Sequence, residues 1–256
     1  MMDTNNSKKT KKKVPVSQIL VSCYFWFTLF FIAAVMFPFA LLVWTCTFLF
    51  DSNRKILHRF TCFWSDITLN SNLYWKVRIR GREKIQKGVP YVMVSNHQSG
   101  ADIMVLFKLH RHFKWVAKKE LFYVPFIGWA MALNRYIPII RSEGRSKLTM
   151  MDRAKEAIGQ GNSVIIFPEG TRTRDGHIQP FKSGAFRLAI ETGAPVLPIV
   201  VKGTFVAIKK GEFLIYKNKN IEAVILDPIS TKGFTHKNIK ELMEKTSSRI
   251  REELEK

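Results

Sequence analysis

Residues 91–97 read YVMVSNH, an apolar run that ends in a serine, an asparagine and a histidine. A run that is apolar on both faces is typical of a strand covered on both sides of a sheet. In open α/β sheets, ligand-binding and catalytic groups collect beyond the carboxyl ends of the strands. The sequence therefore predicts that Asn96 and His97 lie at the end of a buried strand, where a site would form.

Strand and helix patterns alternate in both directions from this run. The predicted strands are residues 76–80, 91–95, 113–117, 136–140, 163–167, 196–201 and 222–226. The predicted helices are residues 103–109, 127–133, 145–158, 185–192 and the chain from about residue 236 onward. This alternation predicts an α/β fold, with a central, largely parallel or mixed sheet flanked by helices. Because no repeat or linker interrupts residues 51–256, they are predicted to form one domain.

The composition limits the classes of partner. The chain has 256 residues, of which 46% are hydrophobic, and its 41 Lys and Arg against 20 Asp and Glu give a net charge of +21. The apolar content excludes a disordered protein. The excess of positive charge indicates a polyanionic partner, either nucleic acid or an anionic membrane surface. Three cysteines cannot build a disulfide framework, which favours a reducing compartment.

The distribution of charge along the chain favours the membrane. Residues 1–13 carry five lysines and one aspartate, and they are predicted to form a basic disordered tail. Residues 14–50 contain no charged side chain and are rich in Phe, Leu, Ile, Val and Trp. A basic segment beside a long uncharged apolar stretch is typical of a membrane protein.

The length of residues 14–50 bears on how they would enter a bilayer. As one helix they would span about 55 Å, against a hydrocarbon core of about 30 Å, whereas two full crossings need about 20 residues each. Pro38 lies past the midpoint, and basic residues flank both ends of the stretch. We therefore predict a membrane-embedded helical hairpin whose two ends lie on the cytoplasmic side. A single membrane span and a protein-buried helix pair are the alternatives.

His97 and Asp102 form the first candidate site. Within one helix, residues five apart would point about 140° away from each other. They meet only if His97 lies in the turn after the strand and Asp102 lies in the first turn of the next helix. Asp102 would then orient the imidazole of His97, which would act as a general base. The alternative is a histidine at a helix start, with Asp102 complementing the helix dipole.

The second candidate site is the loop 167–176, which reads FPEGTRTRDG and follows the predicted strand 163–167. It is followed by FKSG at residues 181–184, where a helix is predicted to begin. Backbone amides at a helix start, together with Arg172, Arg174 and Lys182, would make an anion site suited to phosphate. The alternative is a solvated basic turn.

Taken together, the two segments resemble a known family. NHQSGAD at residues 96–102, followed by FPEGTR at 167–172, resembles the glycerolipid acyltransferases, specifically the 1-acyl-glycerol-3-phosphate (lysophosphatidic acid) acyltransferases. APVLPIV at residues 194–200 matches the last block of that family. RYIPIIR at residues 135–141 matches its second block loosely: Arg141 fits the terminal base, but Arg135 stands where glycine is usual. This departure bears on the identity of the acceptor lipid.

The resemblance implies roles for particular residues. His97 and Asp102 would be catalytic. A second group would bind the substrate phosphate: Lys118, Glu169, Gly170, Thr171 and Arg172. Arg141, Arg174 and Lys182 are further candidates for acceptor contacts. Glu169 has the alternative of a counter-ion for Arg172. No metal site is predicted, because the HxH pair His110 and His112 has no further ligand at a suitable spacing.

The resemblance also implies the reaction. An acyl group would pass from an acyl thioester, either acyl-CoA or acyl-carrier protein, to the free hydroxyl of 1-acyl-glycerol-3-phosphate, giving phosphatidic acid. The expected partners are this membrane lipid, the acyl donor and an anionic bilayer surface, with no cofactor and no nucleic acid. The expected location is the cytoplasmic face of a membrane, such as a bacterial inner membrane. The alternatives are another acceptor, such as glycerol-3-phosphate or a different lysolipid, and a non-enzymatic membrane-anchored binder of nucleic acid or protein.

Overall fold

A computed structural model describes residues 14–72, 74–140 and 143–256. It contains seven strands, each at a position where the sequence predicts one. Their bounds are β1 Trp75–Arg80, β2 Val92–Ser95, β3 Phe113–Lys118, β4 Ile137–Ile139, β5 Ser163–Ile166, β6 Val196–Lys202 and β7 Asn218–Ile225. Every residue of β2 and β5 is buried, in keeping with their continuous apolar sequences.

The strands form one mixed sheet in the order β1-β7-β6-β2-β5-β3-β4. All neighbouring strands are parallel except β6 and β7, which are antiparallel. The predicted fold class is therefore confirmed. The strands β2 and β5, which precede the two candidate sites, are direct neighbours, so their carboxyl ends open at the same edge of the sheet.

Helices cover both faces of the sheet and enclose two apolar cores. The bounds are α1 Val16–Thr47, α2 Lys55–Asn70, α3 Ala101–Phe107, α4 Ile127–Leu133, α5 Gly144–Gly159, α6 Gly184–Thr192, α7 Thr204–Ala207 and α8 Ile239–Leu254. One core contains residues of α3 with Phe113 and Trp115 of β3, and residues of α1 and α2 join it. The other lies beneath α5, α6 and α8. This three-layer arrangement leaves the strand ends open for a site.

The N-terminal apolar stretch corrects the predicted hairpin. Residues 14–50 do not turn back on themselves, because α1 runs without interruption from Val16 to Thr47 and contains Pro38. The stretch has no Gly, Asn or Asp, the residues that form tight turns most readily. The chain reverses only at residues 51–54, where Asp51 and Asn53 occur and Arg54 has a φ of 59°. The basic tail predicted for residues 1–13 lies outside the described residues.

Within the described residues, α1 is the one helix long and apolar enough to cross a membrane. Its most apolar window has a mean hydropathy of 2.4 and is only 11% buried, so α1 is not a core helix of the domain. Three hydrogen bonds attach its N-terminal half to a later part of the chain. The Gln18 side chain donates to the Ile215 carbonyl at 3.0 Å, the Ile215 amide donates to the Ser22 hydroxyl at 3.0 Å, and the Trp26 indole donates to the Phe213 carbonyl at 2.8 Å.

Candidate active site

The two candidate segments lie side by side at the carboxyl edge of β2 and β5. The loop 96–100 leaves β2, and the loop 167–176 leaves β5. The Thr173 amide donates to the His97 carbonyl at 3.0 Å, so the second loop is attached directly to the first. The Asn96 side chain pairs with the backbone of Val201 on β6, accepting at 2.8 Å and donating at 2.9 Å. His97 is therefore held at a fixed position between two loops and a strand.

The side chains of His97 and Asp102 are in contact, in the arrangement that their separation of five residues requires. His97 lies in the turn, Asp102 lies in the first turn of α3, and the imidazole Nδ1 is 2.8 Å from Asp102 Oδ2. Asp102 is fully buried, and the same oxygen accepts the backbone amides of Gln98 at 2.8 Å and Ser99 at 2.9 Å. This oxygen fixes Nδ1 as the protonated ring nitrogen and leaves Nε2 as the base. The pair has the geometry of an oriented general base.

The ring of His97 is held in place by an aromatic stack. Its centroid is 3.9 Å from that of Phe167, and the two planes are 9° apart. Phe167 is the first residue of the loop that follows β5. Because the imidazole is held by this stack at its face and by Asp102 at its edge, its orientation is fixed before any substrate binds.

The side chain of Glu169 joins the backbone at His97 to the backbone at Gln179. Its side chain is buried, with Oε1 accepting the His97 amide at 2.6 Å and Oε2 accepting the Gln179 amide at 2.9 Å. Both oxygens therefore have partners, and a carboxylate would repel a phosphate. Burial raises the pKa of Glu169 to about 7, against the lowering effect of the two amides. Glu169 is therefore placed to hold the backbone at His97, and its contact with the substrate phosphate stays a prediction.

The rest of the loop brings cations to the same edge of the sheet. The Lys182 side chain passes over Gly170, where a β-carbon would lie 2.8 Å from its ammonium, and Gly170 has a φ of 70°. The positive φ favours glycine at this position, whereas the Lys182 ammonium is the end of a flexible side chain and can move away from a β-carbon. The Gly170 amide donates to the Phe167 carbonyl at 3.1 Å, so this amide is not available to a phosphate. The Arg172 guanidinium lies against Gly100, and one of its nitrogens is 3.7 Å from the point where a β-carbon would be.

Lys210 is a site residue that the sequence did not predict. Its ammonium donates to the Thr171 hydroxyl and to the Arg172 carbonyl, both at 2.8 Å. Lys210 therefore holds the segment that carries Arg172. It follows Lys209 in a segment without a recognisable motif, so no sequence pattern indicates its role. Phe167 and Asn96 belong to the quoted motifs, but the stacking of Phe167 and the strand-like pairing of Asn96 depend on tertiary contacts.

Three other predicted residues have different placements. Lys118 is half-exposed at the end of β3, where its ammonium pairs with Glu120 at 2.9 Å, and it borders the same cavity as His97. Arg174 is exposed on the loop after β5. Arg141 lies outside the described residues. The structure thus brings Lys118 and His97 to one cavity and places Arg172 beside the turn that carries His97.

An apolar cavity of about 320 Å³ extends from His97 between the sheet and the N-terminal helices. Its wall is formed mainly by aliphatic and aromatic side chains of α1, α2, α3, α4 and β3. Examples are Trp26, Leu29, Met104, Trp115 and Met131. The side chain of His97 is only 11% exposed, and it borders a cavity whose wall is mainly apolar. A cavity of this composition suits a hydrocarbon chain whose reactive end lies at His97.

Comparisons with known proteins agree with this arrangement. Residues 76–202 match the family model described as acyltransferase. The chain is 38% identical over 183 residues to a chloroplastic 1-acyl-sn-glycerol-3-phosphate acyltransferase from Brassica napus, covering 71% of this chain and 53% of that protein. It is 36% identical over 196 residues to a 1-acyl-sn-glycerol-3-phosphate acyltransferase from Saccharomyces cerevisiae, covering 74% and 62% respectively.

A solved structure extends the likeness to nearly the whole chain. The crystal structure of the 1-acyl-sn-glycerophosphate acyltransferase PlsC from Thermotoga maritima superposes with a TM-score of 0.77 at 27% identity, covering 94% of this chain and 95% of that one. By contrast, the chain spans about half the length of the chloroplastic relatives, 53% and 51% of the two compared.

Proposed function

The chain belongs to the acyltransferase family, and from this premise we propose that it acylates 1-acyl-glycerol-3-phosphate to give phosphatidic acid. The observation that carries the proposal is the position of His97. Its Nδ1 is bonded to the buried Asp102, and its ring lies at the end of an apolar cavity. A base, an apolar cavity and a cationic loop therefore lie together at the carboxyl edge of the sheet.

The chemistry follows from the positions of these groups. The Nε2 atom of His97 takes the proton of the acceptor hydroxyl while the oxygen attacks the carbonyl carbon of the thioester. The new C–O bond forms, the C–S bond breaks, and the imidazolium returns its proton to the departing thiolate. Asp102 stabilises the imidazolium between these two steps. Because the acceptor alcohol attacks directly, no serine or cysteine nucleophile is needed.

The cationic residues of the loop support a phosphate-bearing acceptor. Arg172 offers paired N–H donors beside Gly100, and Lys118 lies on the rim of the cavity. An arginine fork matches the geometry of a phosphate. We assign Arg172 and Lys118 to the acceptor phosphate, with Lys210 holding the loop in place. Thr171, Arg141, Arg174 and Lys182 complete the proposed acceptor surface.

The proposed location is the cytoplasmic face of a membrane, with the bacterial inner membrane as the predicted case. Along α1 large apolar side chains are exposed, among them Leu20, Phe27, Phe31 and Leu42. An exposed apolar surface of this extent is stabilised by lipid. Since α1 also contributes Trp26 and Leu29 to the cavity wall, a lipid tail could pass from the bilayer toward His97 without crossing water.

The decisive experiment measures release of free thiol by the purified chain in neutral detergent. Acyl-CoA and acyl-carrier protein are offered as donors, each with lysophosphatidic acid, glycerol-3-phosphate and lysophosphatidylcholine as acceptors. Lysophosphatidic acid should give the highest turnover, because its phosphate and its acyl chain both find sites. His97→Ala should lose at least 100-fold in kcat, while His236→Ala, an exposed histidine outside the site, should retain wild-type activity.

Two results would overturn the proposal. One is substantial turnover by His97→Ala, which would remove the base from the mechanism. The other is the absence of thiol release with every donor and acceptor, combined with salt-sensitive retention of nucleic acid, which would favour the non-enzymatic binder. A higher turnover with glycerol-3-phosphate or lysophosphatidylcholine would instead change the acceptor and keep the chemistry.

A further inference from the structure

A second cavity lies at the opposite edge of the sheet from His97. Its volume is about 470 Å³, and it is bounded by the turn after α1, the amino ends of β3 and β4, and the C-terminal half of α5. Lys114 and Lys118 lie at the two ends of β3, and each borders a different cavity. No residue of the proposed catalytic or phosphate-binding group lines the second cavity.

Basic side chains dominate the charged part of this cavity. Lys114, Arg135 and Arg153 line it, together with the carboxylate of Glu156, which accepts a hydrogen bond from the Gln160 side chain at 2.9 Å. Arg135 reaches the Ser52 carbonyl at 3.4 Å, so its guanidinium lies on the rim. Three cations against one carboxylate give the cavity a net positive charge.

Lys114 is a buried ammonium with an incomplete set of partners. It is only 4% exposed, and it donates to the Asn53 carbonyl at 2.7 Å and to the Asn134 carbonyl at 2.8 Å. An ammonium has three N–H groups. Among the described residues no third acceptor bonds it, so one N–H remains for a group within the cavity. Both of these acceptors are neutral carbonyls, so neither pairs directly with the positive charge of Lys114.

A second buried cation adds to the positive charge. Arg54 is 4% exposed, and its Nε has no hydrogen-bond partner among the described residues. Burial, followed by the charge of Arg135, lowers the pKa of Arg54. Burial, followed by the charge of Arg135, lowers the pKa of Lys114 to about 8, while the carboxylate of Asp51 acts in the opposite direction. Asp51 is buried, and its two oxygens accept the amides of Lys55 and Ile56 at 2.8 Å. The four cations still outnumber the two carboxylates, Asp51 and Glu156, so the net charge of the cluster stays positive.

Clustering cations in this way destabilises the empty fold, because buried charges of one sign repel and lose hydration. A bound dianion or monoanion would reverse both effects. Planar guanidinium groups and an ammonium are the donors that proteins use for phosphate. This donor set therefore suits a phosphate ester.

The surroundings indicate which phosphate ester. Phe48, Leu49 and Phe50 are separated from the rim residues Ser52 and Asn53 only by the buried Asp51, and they are 46%, 83% and 70% exposed. An apolar turn beside a basic cavity matches a phospholipid, with tails against the turn and phosphate among the cations. We propose that this cavity is a non-catalytic site for the headgroup phosphate of an anionic membrane lipid.

The test uses the full chain in neutral detergent and phosphatidylglycerol as the probe, since it is neither substrate nor product of the proposed reaction. Binding is measured by native mass spectrometry, with phosphatidylcholine as the zwitterionic comparison. Phosphatidylglycerol should bind more tightly, and the double variant Arg135→Gln/Arg153→Gln should lose about 25-fold in affinity, at about fivefold for each basic residue. Lys147→Gln, on the exposed face of the same helix as Arg153, is the matched control and should bind as the wild type does.

A second pair of measurements separates a lipid from a soluble phosphate. Leu49→Ser/Phe50→Ser should weaken phosphatidylglycerol binding severalfold, since it removes apolar surface beside the cavity. Inorganic phosphate and coenzyme A should compete poorly. Wild-type affinity in the double arginine variant would overturn the site itself. Equally tight binding of inorganic phosphate or coenzyme A would overturn its assignment to a lipid. Neither result depends on turnover, so both are independent of the proposed acyl transfer.

Discussion

Replacing Glu169 by Gln should change how the stability of the protein depends on pH. The carboxyl group is buried, and it links the His97 amide to the Gln179 amide through its two oxygens. Burial raises its pKa from 4.5 to about 7 in the folded protein. Glutamine has nearly the same shape but cannot ionise, so a comparison of how the stability of each protein changes with pH isolates the effect of ionisation.

The sign and size of the effect follow from this pKa. Between pH 4.5 and pH 7 the unfolded chain releases the proton of Glu169 and the folded protein keeps it, so the free energy of unfolding falls as the pH rises. A pKa of about 7 against 4.5 corresponds to about 3 kcal/mol in total. About 2.5 kcal/mol of this is lost between pH 5 and pH 8. Glu169→Gln should not show this loss.

Thermal unfolding of the full chain in neutral detergent, followed by tryptophan fluorescence, measures the difference. From pH 5 to pH 8 the Tm of the wild type should fall by about 5–10 °C more than that of Glu169→Gln, given the size of the chain. Scans at one fixed rate keep the comparison valid if unfolding is irreversible. Glu241→Gln, an exposed carboxyl on α8, is the control and should follow the wild type.

The same variant has a kinetic consequence. A glutamine side chain offers one oxygen to two backbone amides, so one of the two bonds that hold the loops is lost. We expect kcat to fall about 10-fold, equal to about 1.4 kcal/mol, because the imidazole is less well placed. An identical pH-dependence of Tm in the wild type and in Glu169→Gln would refute the reasoning about the buried carboxyl, whatever the kinetic result.

Three further predictions test other parts of the site. In Asp102→Asn the amide oxygen can take the position of Oδ2, since Oδ1 has no partner among the described residues. The circular dichroism spectrum should therefore be unchanged. The kcat should fall about 100-fold or more, because the charge that stabilises the imidazolium is lost. Met131→Trp fills part of the apolar cavity and should shift the preference in a panel of acyl-CoA chain lengths toward shorter chains, with a uniform loss at all lengths as the contrary outcome. Lys210→Met removes the two hydrogen bonds to Thr171 and the Arg172 carbonyl and should raise KM for the acceptor severalfold more than KM for the donor, whereas equal changes would separate Lys210 from the acceptor site.

The strands could be predicted from the sequence because their apolar runs are fully buried. YVMVS and SVIIF are apolar on both faces, which only a covered sheet accommodates. The edge of the sheet where the sites meet could also be predicted, since it follows from the carboxyl ends of parallel strands. The sequence predicts that His97 contacts Asp102 only if a turn is followed directly by the start of a helix. The structure has this arrangement, and His97 Nδ1 lies 2.8 Å from Asp102 Oδ2.

Helix α2 and the preference for one N-terminal helix over a hairpin could not be predicted, for two different reasons. The buried face of α2 includes His58, Ser65 and Thr68, so its apolar periodicity is diluted by polar residues that find partners inside the fold. In residues 14–50 the length, Pro38 and the basic flanks favour a hairpin over the alternative single span, but the stretch has no Gly, Asn or Asp to form the turn. Lys210 and the second cavity were missed because their residues are distant in sequence and meet only in the folded chain.

The attachment of α1 to residues 213–215 also has a consequence for synthesis of the chain. Gln18, Ser22 and Trp26 bond to residues that lie 197, 193 and 187 positions later. At roughly 5–20 residues per second, the ribosome needs about 10–40 s to make the intervening chain. Throughout this interval the most apolar helix of the protein is outside the ribosome without its docking segment. Nascent chains that end before residue 213 therefore depend on a bilayer alone to hold α1, and in the absence of membrane they should aggregate or recruit chaperones. Synthesis of residues 213–215 should be the step that permits α1 to dock.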